Sequence, residues 1–206
     1  LKGHDKEICG LKWSPDGSTL VSGGNDNLVI VWNRNGSRRF ILQGHTSAVK
    51  AIAFCPWKAN IVATGGGKDD ATIRFWNVNT GKCKEVVQLS SQITSIFWNA
   101  EYRELLTTHG APDYTVQVWK WNDAFIPPVE ASDENLEEWE IPKIINNVKI
   151  LKGPTEEILF AAISPDGESV VTASSDETLR FWDIWPKKEG DKHTGHWISP
   201  LFAGIR

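Results

Sequence analysis

Four tryptophans close four apolar runs, and an aspartate stands six residues before each of them. The pairs are Asp26 with Trp32 in "NDNLVIVW", Asp70 with Trp76, Asp113 with Trp119, and Asp176 with Trp182. Successive tryptophans are 44, 43 and 63 residues apart. A period of about 40–45 residues marks a repeat architecture, in which each unit is a small block that needs its neighbours to bury its apolar face. A second landmark recurs with the first. Trp13, Phe54, Trp98 and Ile163 each precede a turn, 19 to 22 residues ahead of the closing tryptophan.

Within a unit the segments read as strands. "EICGLKW", "TLVSGG" and "NLVIVW" are short, apolar and rich in β-branched residues, with turn residues between them. Pro presets the second position of a turn and Gly tolerates positive φ, so "SPDG" at 14–17 and 164–167 predicts two tight hairpins. A fourth, outer strand follows in "RRFILQGH", "CKEVVQL" and "KIINNVKILKG". The expectation is an all-β fold of four-stranded antiparallel blades, a propeller. Its units run 1–43, 44–88, 89–153 and 154–185, the last without an outer strand, and 186–206 follow as a flexible tail.

Two segments break the period. Residues 122–142 carry seven acids and no base, and Pro127-Pro128 adds to the case for an excursion with little structure of its own. A propeller puts that connection on the face opposite the turns that hold Asn25 and Asn27. From Asp183 onward, "DIWPKKEGDKHTGHWISPLFAGIR" has low periodicity and reads as a tether.

Composition narrows the function classes. A net charge of −4 gives no electrostatic reason to expect nucleic acid as partner. No apolar run approaches the roughly 20 residues that a bilayer span requires, so no membrane role is expected. Three cysteines without a Cys-x-x-Cys fit a reducing compartment better than a disulfide framework or a zinc site. His193-x-x-His196 is too sparse to argue for a metal, and no cofactor is expected. "GGGKDD" at 65–70 has Asp where a phosphate loop needs Ser or Thr, and it joins two strands. No Ser-His-Asp or Cys-His set stands apart from the repeat, which speaks against an enzyme. The opening Leu-Lys-Gly-His has no initiator Met, so a piece of a longer chain is expected.

Gly3-His4 and Gly44-His45, with an aspartate turn and a closing tryptophan, resemble WD repeats. That resemblance implies a buried hydrogen-bonded chain of His4, Ser22, Asp26 and Trp32 in the first unit, and of His45, Thr64, Asp70 and Trp76 in the second. The third and fourth units have Leu-Ser-Ser-Gln and Gly-Pro-Thr-Glu in place of the Gly-His pair. Incomplete chains are expected there, of Thr107, Asp113 and Trp119, and of Thr172, Asp176 and Trp182.

The longer strings "SGGNDNLV", "AVKAIAFCPWKANIVATGGG", "SSQITSIFWN" and "SDETLRFW" are similar to the Fizzy-type activators of the anaphase-promoting complex. The likeness covers nearly the whole chain apart from 122–142 and 183–203. It implies the C-terminal part of a propeller of seven blades, about four of them present here. It also implies a nuclear and cytoplasmic adaptor that recruits degron-bearing substrates or inhibitors to the core subunits of that ubiquitin ligase. The receptor for KEN-type degrons maps to Asn25, Asn27 and Gln92, with altered residues at Lys68 and Glu157. Glu157 would repel a degron glutamate where the family offers a positive partner, and Lys68 offers partial compensation. The acidic partner of the D-box arginine maps to Glu177. Ile205-Arg206 resembles the tail with which those activators dock on the ligase. The departures suggest a divergent, fungal or meiotic member. The competing reading is a generic WD scaffold with no ligase role.

Overall fold

The structure, a computed structural model, describes residues 1–123 and 143–186. Fifteen strands make four antiparallel sheets there, and no helix occurs among the described residues. The first sheet orders β1 (Ile8–Trp13), β2 (Thr19–Gly24), β3 (Val29–Asn33) and β4 (Arg38–Leu42) side by side. The second does the same with β5 (Val49–Phe54), β6 (Ile61–Gly66), β7 (Thr72–Asn77) and β8 (Lys82–Gln88). The third holds β9 (Ile93–Asn99), β10 (Glu104–His109), β11 (Thr115–Trp121) and β12 (Ile145–Lys152). The fourth has three strands, β13 (Ile158–Ile163), β14 (Ser169–Ser174) and β15 (Leu179–Asp183). These are the blades of a propeller, with every neighbour in a blade also the neighbour in sequence.

Local chemistry sets the hairpins. In "SPDG" Gly17 has φ 68° and donates to the Ser14 carbonyl at 2.9 Å. The Ser14 hydroxyl donates to Asp16 at 2.6 Å and accepts from the Thr19 N–H at 2.9 Å. Gly167 repeats this turn with φ 76°. Each closing tryptophan of the first three blades sits at a bulge, where register slips between Val31 and Trp32, Phe75 and Trp76, or Val118 and Trp119. The extra residue, Arg39, Lys84 or Val148, lies on the outer strand, which bends there.

Blades pack through their inner strands, and apolar clusters fill each junction. Val21, Val31, Val49, Ile52 and Val62 join the first two blades. Phe75, Ile93, Leu105, Trp119 and Trp121 join the second and third. Leu106, Val118, Ile158, Val170 and Trp185 join the third and fourth. The two ends of the row stay open. Ile8, Leu11 and Trp13 are 57%, 62% and 49% exposed on the first blade, and Phe160, Leu179 and Phe181 are 66%, 67% and 76% exposed on the fourth.

Close approach at the first junction requires glycine. A Cβ on Gly23 would lie 2.4 Å from the Val49 carbonyl oxygen and 2.9 Å from the Val49 Cβ, and one on Gly10 would lie 2.4 Å from the Lys50 carbonyl. Backbone oxygen cannot swing aside as a side chain can. Gly23→Ala is therefore expected to cost about 1–3 kcal/mol by forcing the blades apart. A urea midpoint for the full-length protein that does not move would refute this.

The segment from Asp183 departs from its reading as a tether at its beginning. Trp185 is 1% exposed and its Nε1 donates to Glu104 Oε2 at 2.8 Å, while the Tyr102 hydroxyl donates to the Pro186 carbonyl. One large indole provides enough buried area to anchor a stretch that has no periodicity.

Candidate functional site

In the first blade the Trp32 indole N–H donates to Ser22 Oγ at 2.8 Å, and Ser22 lies 2.7 Å from His4 Nε2. His4 Nδ1 is 2.9 Å from Asp26 Oδ1. The Asp26 carboxylate only accepts, so it fixes the tautomer, and His4 Nε2 accepts the Ser22 proton. The imidazole then carries its proton on Nδ1, toward the aspartate. Asp26 also accepts from the Asp5 and Leu28 N–H groups at 2.9 and 3.2 Å. Burial pushes its carboxyl up, but these hydrogen bonds outweigh burial and hold it below the usual range. The second blade repeats the arrangement. Trp76 donates to Thr64 at 2.8 Å, Thr64 lies 2.7 Å from His45 Nε2, and His45 Nδ1 is 2.5 Å from Asp70.

The third blade holds an imidazole that was not expected, although its chain does not reach Asp113. Trp119 Nε1 donates to Thr107 at 2.8 Å, and Thr107 lies 2.7 Å from His109 Nε2. His109 Nδ1 faces Ser91 Oγ at 3.1 Å, and the Ser90 hydroxyl donates to Asp113. An imidazole is thus present, delivered by β10 itself in place of the loop before the first strand. The signal was in "TTHG": residues two apart on a strand share a face, so His109 had to lie beside Thr107. Burial pushes His109 down to about 4. In the fourth blade Trp182 donates to Thr172 at 2.9 Å, and Arg180 replaces the histidine, with Nη2 3.1 Å from Asp176. The Thr178 hydroxyl and the Thr155 N–H also donate to Asp176, and together these bonds hold its carboxyl far below the usual range. In the first two blades aspartate, histidine and tryptophan are joined as framework, and in the other two the tryptophan keeps its bond to the threonine.

The remaining candidates lie on the rim made by the β2–β3 type turns and the connections between blades. Asn27 has φ 67°, a left-handed conformation that Asn tolerates, and its Nδ2 donates to the Thr46 carbonyl of the next blade at 3.1 Å. Asn25 is exposed, donates from Nδ2 to Glu7 at 3.2 Å, and accepts from the Cys9 thiol at 3.0 Å. Glu7 and Cys9 were absent from the sequence reading, because neither has a marked spacing. Gln92 Nε2 donates to Glu157 Oε1, so these two candidates meet across the junction of the third and fourth blades. Lys68 is exposed in the β6–β7 turn and makes no ion pair within 4 Å among the described residues. Glu177 is exposed, at φ 64°, in the β14–β15 turn. The rim thus offers carboxamides that both donate and accept, with carboxylates toward the fourth blade. Groups of this kind suit an extended peptide. Ile205, Arg206, His193 and His196 lie outside the described residues, as do residues 124–142 of the acidic segment.

Comparison with known proteins bears on this geometry. The family described as "WD domain, G-beta repeat" matches residues 1–33, 36–77 and 145–183. The strands β9 to β11, whose imidazole comes from β10, lie outside those matches. The chain is 44% identical over 192 residues to the "Anaphase-promoting complex subunit cdc20" of Dictyostelium discoideum, covering 91% of this chain and 34% of that protein. It is 41% identical to "Cell division cycle 20.1, cofactor of APC complex" of Arabidopsis thaliana, over 93% of this chain and 39% of the relative. It is 39% identical to the "WD repeat-containing protein slp1" of Schizosaccharomyces pombe, over 90% and 34%. The chain therefore spans less than half the length of these curated relatives. A chain in the structure titled "Crystal Structure of Mitotic Checkpoint Complex" superposes with a TM-score of 0.78 at 37% identity, covering 90% of this chain and 52% of that one.

Proposed function

Because this chain belongs to the WD-repeat family and is similar along nine-tenths of its length to cofactors of the anaphase-promoting complex, we propose that it acts as a substrate-recruiting activator of that ubiquitin ligase. The observation that carries the reading is the identity near 40% with proteins named as such cofactors. The relatives are named as a subunit or cofactors of the complex, and the work proposed for this chain is to hold a substrate. Tethering raises the substrate's effective concentration at the ubiquitin-charged enzyme, which accelerates transfer without chemistry by the adaptor.

In this reading the rim binds short degrons. Asn25, Asn27 and Gln92 offer paired donors and acceptors to a KEN-type segment, and Glu177 pairs with a D-box arginine. Glu157 departs from the family by its charge, and its bond with Gln92 must open or be shared when a peptide enters. Lys68, exposed on the same rim, supplies the positive group for a degron glutamate. Ile205 and Arg206 dock on the core subunits of the ligase, in the nucleus and cytoplasm.

The test is capture of the intact complex by the full-length protein, with and without Ile205-Arg206. Capture is expected to fall severalfold when the two residues are removed, with propeller stability unchanged. Equal capture by both forms would remove the docking role from these residues. No capture by either would leave a WD scaffold without ligase function.

A further inference from the structure

On the face opposite the Asn25 and Asn27 turns, the second and third blades enclose a pocket of about 190 Å³ lined by Lys58, Asn60, Asn77, Lys84, Trp121 and Ile144. One of its two lysines stands over an aromatic ring, and a second cation–ring pair lies in the adjoining cluster. Lys58 Nζ lies 5.2 Å from the Trp121 ring centroid, and the Arg103 guanidinium lies 4.9 Å from that of Trp57. Trp57 and Trp121 stand edge to face at 6.0 Å within the cluster that joins the blades. A cation over an indole face is attracted by the ring quadrupole and loses much of its freedom, so these charges are positioned before any ligand arrives.

The sign of the charge is the second observation. Two lysines, Lys58 and Lys84, line the pocket in a chain whose net charge is −4. Glu85 lies beside the pocket, where its Oε2 accepts from the Ile144 N–H at 2.5 Å and burial pushes its carboxyl up, toward the uncharged form. Lys84 makes no ion pair within 4 Å among the described residues.

The third observation identifies the ligand chemistry. One carboxylate is already seated here: Asp123 Oδ1 accepts from Trp121 Nε1 at 3.0 Å and lies 3.6 Å from Lys58 Nζ. Its side chain is 60% exposed, so little holds it there beyond those two contacts. The pocket's polar lining is ammonium and carboxamide groups, which can donate to a carboxylate.

We propose that this pocket docks an acidic segment of a partner protein, with a side-chain carboxylate entering between Lys58 and Lys84 above Trp121. Asp123 is the internal rival for the same donors. The proposal is independent of the ligase reading, which stands or falls on the rim and on Ile205-Arg206.

The experiment titrates the full-length protein with a fluorescent, unphosphorylated peptide rich in Glu and Asp, followed by anisotropy. Binding is expected to saturate, to weaken with ionic strength, and to weaken about tenfold or more in a K58Q/K84Q variant. Asp123→Asn keeps an acceptor for Trp121 but removes the rival charge, and is expected to tighten binding; damage to the fold would not do that. Equal affinity of the wild type and K58Q/K84Q would overturn the proposal. So would a preference for an oligonucleotide or phosphatidylserine vesicles over the peptide, which would make phosphate the ligand. Binding that emerges only when Glu130, Asp133, Glu134, Glu137, Glu138 and Glu140 are neutralised would also overturn it, by assigning the pocket to the chain's own acids.

Discussion

Thr64→Val is expected to destabilise the second blade by about 2–5 kcal/mol, although it changes neither the volume nor the shape of a side chain that is fully buried. The Thr64 hydroxyl serves two buried groups at once. It accepts from the Trp76 indole at 2.8 Å and lies 2.7 Å from His45 Nε2. Trp76 and His45 are 2% and 6% exposed, so no bulk water replaces the lost partner. Each orphaned group costs about 1–3 kcal/mol in desolvation that is no longer repaid. His45 is also the group that bonds Asp70, so the loss reaches the turn. Thr64→Ser restores the hydroxyl and is expected to recover most of the stability, less the small cost of one missing methyl group. Urea unfolding of the full-length protein, with amide exchange read on β6 and β7, measures both variants. A loss for Thr64→Val no larger than for Thr64→Ser would show that the hydrogen bonds contribute little.

The second large effect is a dependence on pH centred on the third blade. His109 is fully buried, and burial pushes it down to about 4, against an ordinary value near 6.5 in the unfolded chain. Between those two values the unfolded state binds more protons than the folded state. Stability is therefore complete above about pH 6.5 and declines as the pH falls toward about 4, by a total on the order of 3 kcal/mol. Asp113 opposes the burial effect and Ser91 and Thr107 face the ring, and neither hydroxyl can neutralise an imidazolium. His109→Gln is expected to lower stability at pH 7 yet flatten the slope between pH 4 and 6.5. Stability curves at several pH values separate the two effects. An unchanged slope in the variant would place the titrating group elsewhere.

These two networks also show how far the order of residues could be read. The first and second blades were legible because their donors and acceptors stand at landmarks: a Gly-His pair, a hydroxyl on the second strand, an aspartate in the turn. The third was read without a histidine because the loop that supplies one in the first two blades reads Leu-Ser-Ser-Gln there. Its histidine came from the strand itself. Trp185 was missed for a different reason, since nothing periodic surrounds it and its burial depends on Glu104 and on the third blade.

The rim was legible as positions and illegible as contacts. Asn25 and Asn27 could be named from a likeness, but not the clamp of Asn25 on Glu7 nor the reach of Asn27 to Thr46. Gln92 and Glu157 were assigned to one receptor, but not as partners, and their direct bond joins residues 65 apart in sequence.

From the sequence alone followed the all-β class, the blade period, the turns and the framework role of the aspartates and tryptophans. All of these rest on interactions within a unit, where fixed spacing and alternating faces determine which side chains meet. Tertiary structure alone decided where charge collects between blades, that Gln92 meets Glu157, and that Lys58 meets both the Trp121 ring and Asp123. Those depend on how separate sheets are rotated against one another, and the angle between blades is set by the close approach at Gly10 and Gly23 and by the packing at every junction.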